Sequence, residues 1–204
     1  MPSLMDYVER YQARLSFNSN LVRVDGRRKT ACFETEDADG NVRTEEKQFD
    51  MLHVTPPQVA PDFLRDSPLA DASGFCKVNE KTLQHPDYDN VFALGDACSS
   101  PNAKTAVTIR KQIVVVAGNL LVNKEDEELP LVYGGYGACP LAVEKGKVVL
   151  AEFGFGGKLM PTFPLKPTVS RKLYWFFKTT VFPWLYWNGM LKGKEWLAHA
   201  RKKH

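Results

Sequence analysis

Asn90-Val91-Phe92-Ala93-Leu94-Gly95-Asp96 is the stretch of this 204-residue chain that decides its fold class. Its apolar run predicts a short buried strand that ends at a glycine and a carboxylate. In open α/β sheets, ligands bind at the carboxyl ends of the strands. Glycine lets the backbone approach a ligand, and a carboxylate accepts hydrogen bonds from ligand hydroxyls. The stretch therefore predicts an α/β fold with a ligand site at Gly95 and Asp96.

A helix is predicted to follow over residues 104–122. Its apolar residues repeat at helical spacing and are expected to form the buried face: Ile109, Ile113, Val116, Ala117, Leu120 and Leu121. The start of this helix would offer unpaired backbone N–H groups to an electron-rich ligand. The candidate residues at this end are Lys104, Thr105, Ala106 and Val107.

Alternating segments upstream predict a small antiparallel meander over residues 21–24, 30–34 and 42–49. Asp25-Gly26 and Asp39-Gly40-Asn41 separate these segments and are typical hairpin turns. Two further strands are predicted over residues 51–55 and 147–153. The fold class is therefore α/β, with a meander ahead of the ligand-binding strand.

The cysteines and histidines do not predict a metal site. Cys32, Cys76, Cys98 and Cys139 form no CxxC pair, and structural roles are expected for the four histidines, His53, His85, His199 and His204. Cys139 follows a glycine-rich run and precedes Pro140, which would expose its sulfur. A buried, inert thiol is the alternative for Cys139, and packing roles are expected for the other three cysteines.

The last part of the chain is basic and aromatic. Residues 158–204 contain ten Lys or Arg residues, one acid and all four tryptophans, whereas acids outnumber bases in the rest of the sequence. Apolar residues at helical spacing over 173–187 predict an amphipathic helix that Pro183 breaks or kinks, which gives two short helices. This helix could lie in a membrane interface or pack on its own domain. Binding of single-stranded nucleic acid by its basic and aromatic residues is the weaker alternative. No run of about 18 apolar residues predicts a membrane span.

Two strings resemble known flavoproteins. Residues 88–96, together with Leu52-His53-Val54-Thr55-Pro56-Pro57, resemble the second flavin-binding motif of the two-dinucleotide-binding-domain flavoproteins. The resemblance implies a partial tandem Rossmann-like fold with FAD as its cofactor. It also implies that Asp96 binds the ribityl chain and that the following helix packs near the isoalloxazine ring.

A third string narrows the resemblance. Tyr133-Gly134-Gly135-Tyr136-Gly137-Ala138-Cys139-Pro140-Leu141 is similar to the segment that holds the C-terminal redox cysteine of mitochondrial-type sulfide:quinone oxidoreductases. Residues 51–57, 80–86, 149–153 and 182–191 are similar to the same branch. No G-x-G-x-x-G motif and no match to the first redox cysteine occur. The chain is therefore expected to be the C-terminal half of such an enzyme, incomplete when alone.

The resemblance implies a reaction and its partners. Hydrogen sulfide would form a persulfide on Cys139, the sulfur would pass to an acceptor such as glutathione or sulfite, and electrons would pass through FAD to ubiquinone. The helical tail would bind the surface of the mitochondrial inner membrane and shape the quinone entry. The candidate residues there are Phe163, Trp184 and Trp187, with Phe153 and Phe155 as further quinone-lining candidates.

Three segments are expected. Residues 1–57 would end a second nucleotide-binding domain, residues 58–157 would end the FAD domain, and residues 158–204 would form the membrane-associating tail. One alternative is a type II NADH:quinone oxidoreductase, which needs no redox cysteine. The other is a non-catalytic membrane-binding module.

Overall fold

A computed structural model describes residues 2–122, 129–194, 196, 198 and 201–202. The chain forms two compact units, one of residues 4–58 and the other of residues 59–204 with residues 1–3. Helices and antiparallel strands occur together, as the sequence predicts. The three-segment division stays a prediction.

The first unit is built around the meander. After helix α1 (Pro2–Arg10), strands β1 (Ser19–Asp25), β2 (Thr30–Glu36) and β3 (Val42–Gln48) form one antiparallel sheet in the order β1-β2-β3. Asp25 closes the first turn, because its carboxylate accepts the backbone N–H groups of Arg27 and Arg28 at 2.9 and 3.0 Å. Asp37 closes the second turn in the same way. The predicted strand over residues 51–55 is absent, since this segment has no ladder partner among the described residues.

The second unit contains the remaining elements. In chain order these are α2 (Asp62–Arg65), α3 (Ala106–Val122), β4 (Leu131–Val132), β5 (Gly137–Glu144), β6 (Lys147–Phe153), α4 (Lys172–Phe176), α5 (Phe182–Asn188) and β7 (Arg201–Lys202). Strands β5 and β6 form an antiparallel hairpin, and β4 pairs with β7. Short 3-10 turns cover Gly95–Ala97, Phe155–Gly157 and Met190–Lys192.

The fold-deciding stretch is extended but not a regular strand. Phe92 forms an isolated bridge with Gln84, and the N–H of Ala93 bonds to the carbonyl of Leu83 at 3.1 Å. A strand requires a continuous ladder with a neighbour, and the described residues supply only this short pairing. The stretch nevertheless ends where the sequence predicts, in the 3-10 turn at Gly95.

Helix α3 is confirmed, but of the six residues predicted for its buried face only Val116 is buried. Its buried residues are Thr108, Gln112, Val115, Val116 and Asn119, whereas Ile113 and Leu121 are 51% and 70% exposed. The side chain of Asn119 bonds both backbone groups of Leu131, at 3.0 and 3.1 Å. Because loop backbone groups need partners when they are buried, polar side chains of α3 face the interior.

The tail forms two short α-helices as the sequence predicts, and the backbone between them stays helical instead of breaking at Pro183. Helix α4 runs into a π-helical turn, Phe177–Val181, and then into α5, which has Pro183 in its first turn. Pro183 has no N–H to donate to the carbonyl of residue 179. The wider π turn accommodates the loss of this hydrogen bond without ending the helix. Within the described residues, no helix is long and apolar enough to cross a membrane.

Two apolar clusters form the core of the second unit. One contains Leu83, Val115, Val116 and Tyr133. The other contains Val148 and Leu150 of β6 with Tyr174 of α4 and packs against Phe163 and Phe177. The aromatic tail therefore packs on the face of the β5–β6 hairpin that carries Val148 and Leu150.

Candidate functional site

A cavity of about 930 Å³ lies among α3, the β5–β6 hairpin and the tail helices. Six of the residues singled out in the sequence line it: Thr105, Ala106, Val107, Cys139, Phe163 and Trp187. These residues come from three distant parts of the chain. The structure thus brings the predicted helix start, the predicted redox cysteine and the predicted aromatic tail to one place.

Four other sequence candidates do not line this cavity: Gly95, Asp96, Lys104 and Trp184. Of the further quinone-lining candidates, Phe153 borders a second, smaller cavity beside Gly137. Phe155 packs edge-on against Tyr133, with ring centroids 5.7 Å apart.

The Gly95–Asp96 turn leads toward the start of α3. Gly95 has φ +62, and a Cβ there would lie 3.0 Å from Ile109, so the position requires glycine. Its N–H donates to Gln112 Oε1 at 2.8 Å. Lys104 Nζ donates to the carbonyl of Asp96 at 2.9 Å, which leaves the exposed carboxylate of Asp96 available for a ligand hydroxyl.

Thr105, Ala106 and Val107 at the start of α3 line the cavity. Thr105 accepts the N–H of Thr108 at 3.3 Å, as a helix N-cap residue does. The next N–H groups, those of Ala106 and Val107, belong to the first turn and have no partner within the helix. This end of α3 therefore offers donors to an electron-rich group.

Side chains alternate between the two faces of the hairpin, and Cys139 lies on the face opposite to the aromatic tail. Gly137 and Cys139 share one face of β5, and a Cβ on Gly137 would lie 2.8 Å from Thr108 Oγ1, so this face turns toward α3. Ala138 is on the other face and pairs with Glu152 of β6. Cys139 is half-buried, a free thiol on the α3 side of the hairpin.

The other three cysteines are buried. Burial raises the pKa of Cys76 and of Cys98, which keeps both as thiols. Cys98 Sγ lies 3.3 Å from the carbonyl of Gly95, to which it donates. Cys139 is thus the most accessible of the four sulfurs.

Three cationic side chains line the cavity: Arg110, Lys111 and Lys178. Arg110 of α3 has a buried Nη2 with no hydrogen-bond partner, and burial lowers the pKa of its guanidinium. Lys178 Nζ donates to the carbonyl of Pro140 at 2.8 Å. An unpartnered buried N–H is costly, so Arg110 keeps one guanidinium N–H group that no described residue satisfies.

Glu152 is a buried carboxylate in the cavity wall that the sequence interpretation missed. It is 2% exposed and accepts hydrogen bonds from the hydroxyls of Tyr136 and Thr162, each at 2.5 Å. Burial, followed by the bond to Glu152, raises the pKa of Tyr136, which keeps its hydroxyl as a donor. An acid inside the apolar run of β6 is the sequence signal for such a residue, and Arg110 inside the apolar run of α3 is another.

Among the described residues, no group of three His, Cys, Asp or Glu side chains could hold a metal ion. His199 and His204, two of the four histidines considered in the sequence, lie outside the described residues.

The aromatic residues at the end of the tail are partly exposed. Trp184 and Trp187 are 55% and 64% exposed. The ring of Trp184 stacks on that of Trp196 at 5.9 Å, and Lys194 Nζ lies 4.9 Å from the Trp196 ring. A surface of tryptophan rings with nearby lysines is typical of proteins that contact the headgroup region of a membrane.

Curated relatives match most of the chain. It is 41% identical over 180 residues to the mitochondrial sulfide:quinone oxidoreductase of Dictyostelium discoideum, a match of 88% of this chain and 39% of the relative. The Mus musculus protein of the same name is 35% identical over 191 residues, 94% of this chain and 42% of the relative. The predicted resemblance to sulfide:quinone oxidoreductase is confirmed. The Schizosaccharomyces pombe sulfide:quinone oxidoreductase is 34% identical over 188 residues, 90% of this chain and 40% of the relative.

The chain spans about two fifths of the length of the sulfide:quinone oxidoreductases it matches. No protein-family model matches it. Among solved structures, a chain in the cryo-EM structure of the Tetrahymena thermophila mitochondrial ATP synthase F1Fo tetramer matches with a TM-score of 0.69 and 23% identity, over 94% of this chain and 43% of that one. That similarity supports the fold alone.

Proposed function

We propose that this chain is the part of an FAD-dependent sulfide:quinone oxidoreductase that holds one redox cysteine and the quinone-side wall of the site. The observation that carries the proposal is the single cavity lined by Cys139, the start of α3 and the aromatic tail. In a type II NADH:quinone oxidoreductase, no cysteine would be required at Cys139.

The described residues fit a flavin. The exposed carboxylate of Asp96 would accept a ribityl hydroxyl, and the first turn of α3 would offer N–H donors to electron-rich ring atoms. FAD, when bound, accepts two electrons and passes them to a quinone.

The sulfur chemistry would take place at Cys139. Hydrosulfide attacks a disulfide between Cys139 and a cysteine outside this chain, the S–S bond breaks, and the partner sulfur leaves as a thiolate. The new S–S bond on Cys139 is a persulfide, and its outer sulfur then passes to glutathione or sulfite. The two protein thiols lose two electrons when the disulfide re-forms. The quinone gains two electrons and two protons as it becomes the quinol.

The tail would bring the quinone from the membrane. Trp187 and Phe163 line the cavity, and Trp184 lies on the exposed end of the same tail. This arrangement supports peripheral association with a membrane, for which we propose the inner membrane of mitochondria because the relatives are named mitochondrial. Tryptophan rings would lie at the headgroups and lysine ammonium groups would reach toward them.

A chimera tests the proposal. The 180 matched residues of the Dictyostelium relative are replaced by those of this chain. Flavin absorbance is then followed after sulfide is added without quinone, and again after a short-chain ubiquinone is added. The chimera is expected to retain FAD, to lose flavin absorbance with sulfide and to regain it with quinone.

Cys139→Ser in the chimera should abolish the sulfide-dependent loss of flavin absorbance, because no persulfide can form. Cys32→Ser is the matched control and should leave it intact, because Cys32 lies in the meander. Equal flavin reduction in the Cys139→Ser chimera would refute the role of this cysteine. Reduction by NADH instead of sulfide would favour a type II NADH:quinone oxidoreductase, and failure to retain FAD would favour a non-catalytic membrane-binding module.

A further inference from the structure

Glu152 is buried next to the apolar run 148–151 of β6, and the proposed sulfur chemistry does not use it. Residues 148–151 of β6 are buried on both sides of the hairpin, and Glu152 is 2% exposed. A buried carboxylate is costly unless donors surround it. Its donors therefore indicate what this side chain holds in place.

Within the described part of the chain, the donors to the Glu152 carboxylate come from two short segments of the cavity wall. Tyr136 and Thr162 each donate a hydroxyl to Oε1, and the N–H of Thr162 lies 3.2 Å from both carboxylate oxygens. The backbone N–H of Met160 donates to the carbonyl of Glu152 at 3.2 Å. Glu152 thus fastens residues 160–162 to the hairpin at both its side chain and its backbone.

The fastened segment forms the wall on the aromatic side of the cavity. Met160, Thr162 and Phe163 line the cavity, and the Phe163 ring lies 5.5 Å from that of Phe177 in the tail. Because Glu152 pairs with Ala138, it is on the opposite face of the hairpin from Cys139. A change at Glu152 would therefore act on the apolar half of the cavity before it acts on the sulfur half.

We propose that Glu152 is a positioning residue for the electron acceptor, and that it shapes the quinone-binding half of the cavity by holding Thr162 and Phe163. This inference rests on the proposed function. Glu152 does not touch the reacting sulfur. Its removal releases one wall of the quinone site, so quinone binds more weakly while sulfide still reduces the flavin.

The test uses the chimera and separates the two half-reactions. The variants are Glu152→Ala, Glu152→Gln and Thr162→Val. Thr162→Val changes an exposed residue and preserves the N–H donor, so it guards against a folding defect. Glu144→Gln is the matched control, because Glu144 lies on the same hairpin and pairs with Lys147 outside the cavity lining.

Three quantities are measured for each variant: the rate of flavin reduction by sulfide, the KM and kcat for a short-chain ubiquinone, and the quenching of tryptophan fluorescence as that quinone is titrated. Glu152→Ala should raise the KM and the titration Kd about tenfold or more, as expected for the loss of hydrogen bonds to a charged group. Flavin reduction by sulfide should stay at the unsubstituted rate. Glu152→Gln keeps an oxygen for both hydroxyls and should recover most of the affinity.

Unchanged KM and Kd in Glu152→Ala and Thr162→Val would overturn the inference. So would a parallel loss of sulfide-dependent flavin reduction and quinone binding, since this would indicate general damage to the fold. If the unsubstituted chimera bound quinone but showed no flavin reduction by sulfide, the proposed function would fail, and the fluorescence titration would still decide the role of Glu152.

Discussion

Gly135 is the glycine whose replacement should destabilise the second unit most. It has φ +81, and a Cβ there would lie 2.5 Å from Phe155 Cδ2 and 2.8 Å from the backbone nitrogen of Phe155. The ring cannot withdraw freely because it packs edge-on against buried Tyr133. Gly135→Ala therefore adds overpacking of about 1–3 kcal/mol to left-handed backbone strain of about 1–2 kcal/mol.

Gly146→Ala separates these two costs. Gly146 has φ +84 in the β5–β6 turn, with nothing within 4 Å of a Cβ, so only the backbone strain applies. In thermal unfolding of the chain, each kcal/mol lowers the Tm by about 2–4 °C at this size. We expect Gly146→Ala to lower the Tm by about 2–8 °C and Gly135→Ala by about 4–20 °C. Equal shifts would show that the clash with Phe155 is relieved at no cost and would refute the reasoning.

Three further outcomes follow from the site. Burial raises the pKa of Tyr133 from 10.0 to about 12, so its contribution to stability is present below pH 10 and is lost as the pH rises through about 12. Thermal unfolding of Tyr133→Phe should therefore show a smaller loss of Tm over this range than the unsubstituted chain. Gln112→Leu leaves the buried N–H of Gly95 without its acceptor and should cost about 1–3 kcal/mol in urea unfolding; an unchanged midpoint would contradict this. Replacing Trp184 and Trp187 together by Ser should weaken sedimentation with anionic liposomes several-fold, and unaltered partitioning would count against the interfacial tail.

Local signals in the sequence predict the elements that depend on local chemistry. The meander follows from Asp25-Gly26 and the Asp37 turn, whose carboxylates accept nearby N–H groups. The buried face of α3 does not follow, because Gln112 and Asn119 are buried to satisfy loop backbone groups distant in sequence. Hydrophobic periodicity contains no information about those partners.

The same distinction between local and long-range contacts applies to the candidate site. The string around Cys139 and the start of α3 could be predicted because each is a local motif. Glu152 could not, because its donors Tyr136 and Thr162 lie 16 and 10 residues away and meet only in the folded hairpin. The sequence shows that Glu152 follows an apolar run, but the role of this carboxylate depends on long-range packing.

The register of the hairpin connects these observations. A slip of one residue between β5 and β6 would move every side chain of the slipped strand to the other face. Apolar residues such as Val149 and Leu150 are buried on either face, so burial of apolar area discriminates weakly between the two registers. Glu152 discriminates strongly, because a buried carboxylate is tolerable only where the hydroxyls of Tyr136 and Thr162 meet it. The same contact that shapes the aromatic half of the cavity therefore also fixes Cys139 on the face that turns toward α3.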